Sequence, residues 1–349
     1  MRPAARRALL GAAAVLLLGG ALLWRAATRQ REYTTTWFDL LDTVSVVRGY
    51  ARSQEEWDAQ MEALHADLLH YHQLFDIYYH YDGMTNLYDV NAGAAAAPVA
   101  VSPELYAFLE WCAGRVWEQT GGATNVAAGA LLSLWHDARE SDAPAPPDPD
   151  LLEAARDHID IADLQLDGAE QTVFFADPDL RLDVGAVAKG YAVELAAQAA
   201  EERGLESALL NIGGNLRAIG EKANGEGAWN IGVENPWGSE PAYIQTLALP
   251  AGYSLVVSGD YQRYFEYEGV RYAHLIDLTT GYPARYYSSV AILAPRGEGG
   301  MADAWSTALF CLPENTGRAL LPAGDVAALW MYPDGSTAAT GNWPGQPAA

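Results

Sequence analysis

The chain has 349 residues, with 21 Lys+Arg against 45 Asp+Glu and a formal net charge of −24 at pH 7. So acidic a chain is not a nucleic-acid binder, because affinity for a phosphate backbone comes from Lys and Arg displacing its counterions. With 50% apolar and 19% charged residues it can bury a core and is not globally disordered.

The first 31 residues hold Arg2, Arg6, Arg7, Arg25, Arg29 and Arg31 and no acidic residue. Between Arg7 and Arg25, the uncharged run Ala8 to Trp24 is rich in Leu and Ala and reads as a membrane-targeting helix. It is short for a spanning helix of about 20 residues and long for a signal core of about 7 to 15, so both readings stay open. Arg25 stands where a small residue would mark a cleavage site, which favours an uncleaved anchor. The basic start keeps the amino end in the cytoplasm and exports the acidic body. Arg6-Arg7 is a weak match to a twin-arginine signal. The expected division is a signal or anchor segment over 1–31, one domain over 32–340 and a flexible tail over 341–349.

Beyond the anchor, Trp37 to Arg48 mixes β-branched and polar residues and predicts a strand. Ser53 with Glu56 forms a capping box, and Trp57, Met61, Leu64, Leu68 and Phe75 follow at near-helical spacing. A second helix starts at Ser102-Pro103, with Leu105, Phe108, Leu109, Cys112 and Val116 on one face. Cys112 and Cys311 both sit in apolar stretches without a CxxC neighbour and read as core residues, a disulfide staying open. Glu140 to Asp150 is an acidic, proline-rich surface loop, and a hairpin-like segment ends at Asp177-Pro178-Asp179. No fixed-period repeat occurs, which excludes solenoids and propellers.

From Leu182 to Gly220 the chain reads LDVGAVAKGYAVELAAQAAEERGLESALLNIGGNLRAIG. Val187, Tyr191 and Leu195 fall on one helical face, and Gly204 follows the last turn. Strand, tight turn and strand follow over 208–212, Gly213-Gly214 and 216–219. The chemistry lies at the front edge of this helix. Asp183 closes the preceding strand, Gly185 admits close backbone approach, and Lys189 sits in a first turn whose free N–H groups and dipole attract anions. Taken alone, a solvated lysine explains Lys189 as well.

At Met301 to Thr307 (MADAWST), after the breaker Gly299-Gly300, a helix would project Asp303 and Thr307 from one face. A carboxylate and a hydroxyl are hard oxygen ligands of the kind Mg²⁺ uses, although Asp303 alone also reads as an N-cap. Between these blocks, Val257 to Phe265 and Tyr272 to Pro283 carry alternating aromatics and turn residues that predict a hairpin. Among the seven histidines, His274 is the one in such a setting. None of the others forms the i, i+4 pair of a helical metal site.

Together these blocks resemble one family, the FAD:protein FMN transferases, or ApbE-type flavin transferases. The resemblance runs from FDLLDTV at Phe38 through Tyr81, the LYDVN segment ending at Asn91, Gly121 to Trp135, LDVGAVAKGYAV, LLNIGGNLRAIG, VSGDYQRYF, YAHLIDLTTGYPA and MADAWSTALF. It implies a single α+β module of mixed sheets and helices that binds FAD with Mg²⁺. It also implies transfer of FMN from FAD to a threonine of an exported acceptor protein, with release of AMP. By position, Asp183 and Lys189 would contact the flavin nucleotide, and Tyr81, Ala123, Thr124, Asn125 and Ile276 would line the FAD site. The Ala186 carbonyl, Asp303 and Thr307 would hold the metal, and His274 matches the family's base, with Asp277 a candidate to orient it. The setting implied is the bacterial cell membrane, with the catalytic domain outside the cytoplasm.

Three departures from the family stand out. Thr124-Asn125-Val126-Ala127 replaces a common Phe-Asp-Pro-Thr, Leu278 replaces a proline, and the lipoprotein cysteine of many members is missing. Two other activities share the metal site or the fold: an FAD pyrophosphatase, with water as acceptor, and a non-catalytic flavin-binding protein.

Overall fold

The computed structural model describes residues 30–238 and 240–347. The targeting segment expected over 1–31 lies almost wholly outside the described residues. Its last residue, Arg31, already begins the first strand.

The central sheet has eight strands: β1 (Arg31–Leu40), β2 (Thr43–Ala51), β3 (Ala208–Ile212), β4 (Asn215–Ile219), β5 (Ser254–Gly259), β6 (Ser289–Ala294), β7 (Ala327–Met331) and β8 (Thr337–Ala339). They lie side by side in chain order, each antiparallel to its neighbours. The long excursions between strands therefore build everything else. One face is covered by helices α1 (Gln54–Leu74), α4 (Ala188–Glu202) and α5 (Gly299–Cys311). Helix α2 (Pro103–Trp111) packs on α4 through Phe108 and Tyr191, and α3 (Gly129–Glu140) packs with Phe265 and Ile276 in a cluster of its own. The other is covered by a small sheet of Trp229–Glu234, Tyr243–Leu249 and Gln346–Pro347. β6 and β7 are buried on both faces, which explains their unbroken apolar sequences SVAILA and AALWM. Val256, Ile292 and Trp330 point into the helical layer, and their neighbours Leu255, Leu293 and Leu329 into the small-sheet layer.

Several expectations are corrected. Trp37 to Arg48 is a hairpin, turned at Leu41 and Asp42, both with positive φ (52° and 51°). No Gly or Asn marks that turn, so sequence could not announce it. The Leu41 N–H is held by His72 Nδ1 at 2.9 Å. Ser53 caps α1 as expected, but the returning bond from Glu56 goes to the Arg52 N–H. In α4 the buried stripe is Ala188, Ala192, Ala196, Ala197 and Ala200 with Val193, while Tyr191 and Leu195 are half-buried. Gly299 and Gly300 open helix α5 rather than break before it. The tail is docked through Pro347: Trp343 Nε1 donates to Gln245 Oε1 (2.8 Å), and Gln346–Pro347 pairs with the strand Tyr243–Leu249. Cys112 and Cys311 are free and buried.

Candidate active site

Helix α4 starts without a side-chain cap. Its first backbone bond runs from the Tyr191 N–H to the Val187 carbonyl (3.1 Å). Of the orphan donors in this first turn, the Gly190 N–H goes to Asp303 Oδ2 on α5, at 2.8 Å. The Ala186 carbonyl lies one residue before that ladder, outside the intrahelical bonds, and so stays available as an oxygen ligand. Lys189 Nζ lies 3.8 Å from Asp303 Oδ2 and donates to the Gly185 carbonyl (3.3 Å).

The two helices approach this closely because glycines face each other. A Cβ on Gly190 would stand 2.5 Å from the Gly299 carbonyl oxygen, and one on Gly299 would meet Glu194 Oε2 at 2.9 Å. Asp303, 4% exposed, is thus held in the second turn of α5 and is not its N-cap. Thr307 follows one turn later on the cavity side.

Asp183 is set by a separate clamp. The Asn91 side chain bonds both the N–H and the carbonyl of Leu182 (2.8 and 3.0 Å), and the Asp183 N–H donates to the Val126 carbonyl (2.8 Å). Burial raises the Asp183 carboxyl above its ordinary value, opposed by the Gly185 N–H on its Oδ1.

His274 follows the hairpin strand Val270–Ala273. Its Nδ1 faces the Arg263 carbonyl at 3.1 Å. A carbonyl can only accept, so Nδ1 carries the proton and Nε2 the lone pair. Burial, then the Arg263 charge, lowers its pKa to about 4, so the imidazole is neutral across the physiological range. Asp277 does not orient it: the Asp277 carboxylate accepts from the Thr279 N–H.

These groups line one cavity of ≈ 250 Å³. Asp183, Ala186, Lys189, His274, Ile276, Asp303 and Thr307 all border it, as do Ala123, Thr124 and Asn125. The last two spend their polar side chains on the fold. Thr124 Oγ1 donates to the Ala304 carbonyl (2.8 Å), and Asn125 bridges the Ile159 carbonyl and the Ala127 N–H. The altered Thr124 to Ala127 segment is thus a braced wall. Tyr81 is not among the lining residues. The Asp76 carboxylate accepts from its hydroxyl (2.8 Å) and from the N–H groups of Tyr78 and Tyr79, a turn that leaves Tyr78 on the cavity instead.

Sequence reading missed Tyr78, Trp135, Arg139, Asn215 and Arg263, which also line the cavity. Arg139 and Arg263 carried a signal: with so few cations in an acidic chain, each is worth asking about. Trp135, Leu132 and Leu278 supply an apolar wall.

The chain that builds this cavity belongs to the ApbE family, whose sequence model matches residues 41–330. It is 40% identical over 261 residues to the FAD:protein FMN transferase of Treponema pallidum, covering 70% of each chain. To the FAD:protein FMN transferase of Klebsiella pneumoniae it is 32% identical over 245 residues, 70% of this chain and 73% of that one. The crystal structure of the ApbE protein of Thermotoga maritima is similar with a TM-score of 0.78 at 29% identity, covering 89% of this chain and 97% of that one. The flavin transferase ApbE from Vibrio cholerae is similar with a TM-score of 0.76 at 25% identity, over the same shares of 89% and 97%.

Proposed function

We propose that this chain is a Mg²⁺-dependent FAD:protein FMN transferase that moves FMN from FAD to a threonine hydroxyl of an exported acceptor protein and releases AMP. The observation that carries it is the convergence of Asp303, Thr307, the Ala186 carbonyl, Lys189 and His274 on one cavity. A carboxylate, a hydroxyl and a backbone carbonyl are the hard oxygens that fit Mg²⁺, which fills its remaining positions with water and substrate phosphate. Bound by these three residues, Mg²⁺ supplies charge neutralisation to the pyrophosphate and polarises the reacting phosphoryl group.

The chain's own residues do the rest. Lys189, Arg139 and Arg263 put three cations on one cavity of a chain with net charge −24, which favours an anionic substrate there. The apolar wall of Trp135, Leu132 and Leu278 suits an aromatic ring system. The threonine oxygen attacks the FMN phosphorus, and its proton passes to the Nε2 lone pair of His274. The bond from that phosphorus to the bridging oxygen breaks, and AMP leaves with that oxygen. The arginine-flanked apolar run at the amino end supports a bacterial membrane location, with this cavity outside the cytoplasm facing an exported acceptor.

The test is to incubate the full chain in detergent with FAD, Mg²⁺ and a flavinylatable acceptor domain, and to read covalent flavin fluorescence on a denaturing gel. Fluorescence that needs Mg²⁺ and disappears in Asp303→Ala is expected. Free FMN and AMP without labelled acceptor would make the chain a pyrophosphatase, and unchanged FAD a binding protein.

A further inference from the structure

We propose that Asn215 is a phosphate-positioning residue of this cavity, its side-chain amide donating to a phosphate oxygen of the bound dinucleotide. This inference rests on the FAD reading above and assigns a contact within it.

Asn215 opens β4, where its backbone is held on both sides, by Ile212 across the β3–β4 hairpin and by Val256 of β5. The turn before it, Gly213-Gly214, takes positive φ at both residues (57° and 89°), so the register of the side chain is fixed by a tight two-residue turn. Asn is a poor strand residue, and its side chain is here 3% exposed. Its Nδ2 is buried and has no hydrogen-bond partner among the described residues. A buried donor left unmade costs free energy that an apolar residue of similar size would not. Among the residues lining the cavity, Asn215 is the one whose buried side-chain donor lacks a partner among the described residues.

The position of that donor selects its acceptor. An atom at the Cβ position of Gly190 would lie 3.2 Å from Asn215 Nδ2 and 2.6 Å from the Asp303 Cβ. Nδ2 therefore sits against the first turn of α4, beside Asp303 and Lys189, where anionic oxygen is favoured, and not at the apolar wall of Trp135 and Leu278. An N–H donor cannot ligate a cation, and the acceptor that a bound dinucleotide brings to this helix start is a phosphate oxygen.

The experiment compares the full chain with Asn215→Leu and Asn215→Asp by FAD titration, with and without Mg²⁺, alongside unfolding without ligand. Asn215→Leu removes an unpaired donor, so its ligand-free melting temperature is expected to stay level or rise. FAD affinity is expected to fall about tenfold to a hundredfold, as for loss of a hydrogen bond to a charged group. Asn215→Asp puts a carboxylate against the phosphate and is expected to bind more weakly still, its affinity recovering in part when Mg²⁺ is added. Unchanged FAD affinity in Asn215→Leu while the unaltered chain binds and transfers overturns the assignment. A loss of melting temperature in both variants that accounts for the weaker binding overturns it as well, because the amide would then be structural. Failure of the unaltered chain to bind FAD counts against the functional reading instead.

Discussion

Gly190 and Asp303 lock the two central helices together: the glycine amide donates to Asp303 Oδ2 at 2.8 Å, and a Cβ at position 190 would stand 2.6 Å from the Asp303 Cβ. One contact thus serves packing and chemistry at once. It fixes the carboxylate, and it gives one orphan N–H of the first turn of α4 its partner. Gly190→Ala is expected to force α4 and α5 apart, at a cost of about 1–3 kcal/mol for an overpacked core. Thermal unfolding should show the loss, and the transfer rate should fall by more than the loss of folded protein explains. An unshifted melting temperature would mean that the helix pair has room it does not show.

Asp303→Asn separates the two roles. The amide oxygen can still accept from Gly190, while the negative charge is gone, so the melting temperature should change by less than in Gly190→Ala. Mg²⁺ affinity measured by calorimetry should drop at least tenfold, and transfer should fall with it. Equal Mg²⁺ affinity in the two proteins would remove Asp303 from the metal site.

His274 carries a pH prediction. Its pKa, lowered by burial and then by the Arg263 charge, lies at about 4. A base with that value is in its active, neutral form throughout the range from pH 6 to 8. The transfer rate should therefore show no inflection near 6.5 from this residue and should fall only as pH approaches about 4. The same lowering has a stability consequence. Because the folded value is below the unfolded one, the contribution of neutral His274 is fully present above about pH 6.5 and is lost as pH falls toward 4. His274→Gln should flatten that acid loss of stability, and a rate inflection near 6.5 in the unaltered chain would count against the buried-base geometry.

How much of this was readable beforehand follows from what each feature depends on. Local patterns were legible: Ser53 capping α1, the glycine pair between β3 and β4, and the hairpin leading to His274 all rest on residues near one another in sequence. Motif order gave the metal and nucleotide candidates, and the fold does bring Asp183, Lys189, His274, Asp303 and Thr307 to one cavity. What stayed hidden depends on distant partners. The Leu41-Asp42 turn is held by His72 and by the Arg263 guanidinium on the Asp42 carbonyl, neither near it in sequence. Gly299 and Gly300 look like breakers until Glu194, Tyr191 and Trp111 are seen against them. Tyr81 and Tyr78 differ in role through the bonds of Asp76, which no spacing rule predicts.

Beneath the cavity, a buried ion pair ties the start of α5 to α4. Arg217 on β4 is fully buried, and its Nε lies 3.0 Å from Oε2 of Glu194, itself 4% exposed. Glu194 Oε1 also accepts from the Gly297 N–H at 2.9 Å, so the turn entering α5 is anchored by the carboxylate that the arginine neutralises. Burying such a pair gains little over apolar residues, but removing one partner leaves a charge without compensation. Arg217→Leu should therefore lose about 3–5 kcal/mol in urea denaturation. The double change Arg217→Leu with Glu194→Leu should recover part of that loss, since the fully buried carboxylate is gone and the other partner of Arg217, Glu201, keeps its ion pair with Arg296. It should not recover transfer activity, because the Gly297 anchor that holds α5, and with it Asp303, would still be missing. Full recovery of both stability and rate in the double variant would show that the pair serves packing alone.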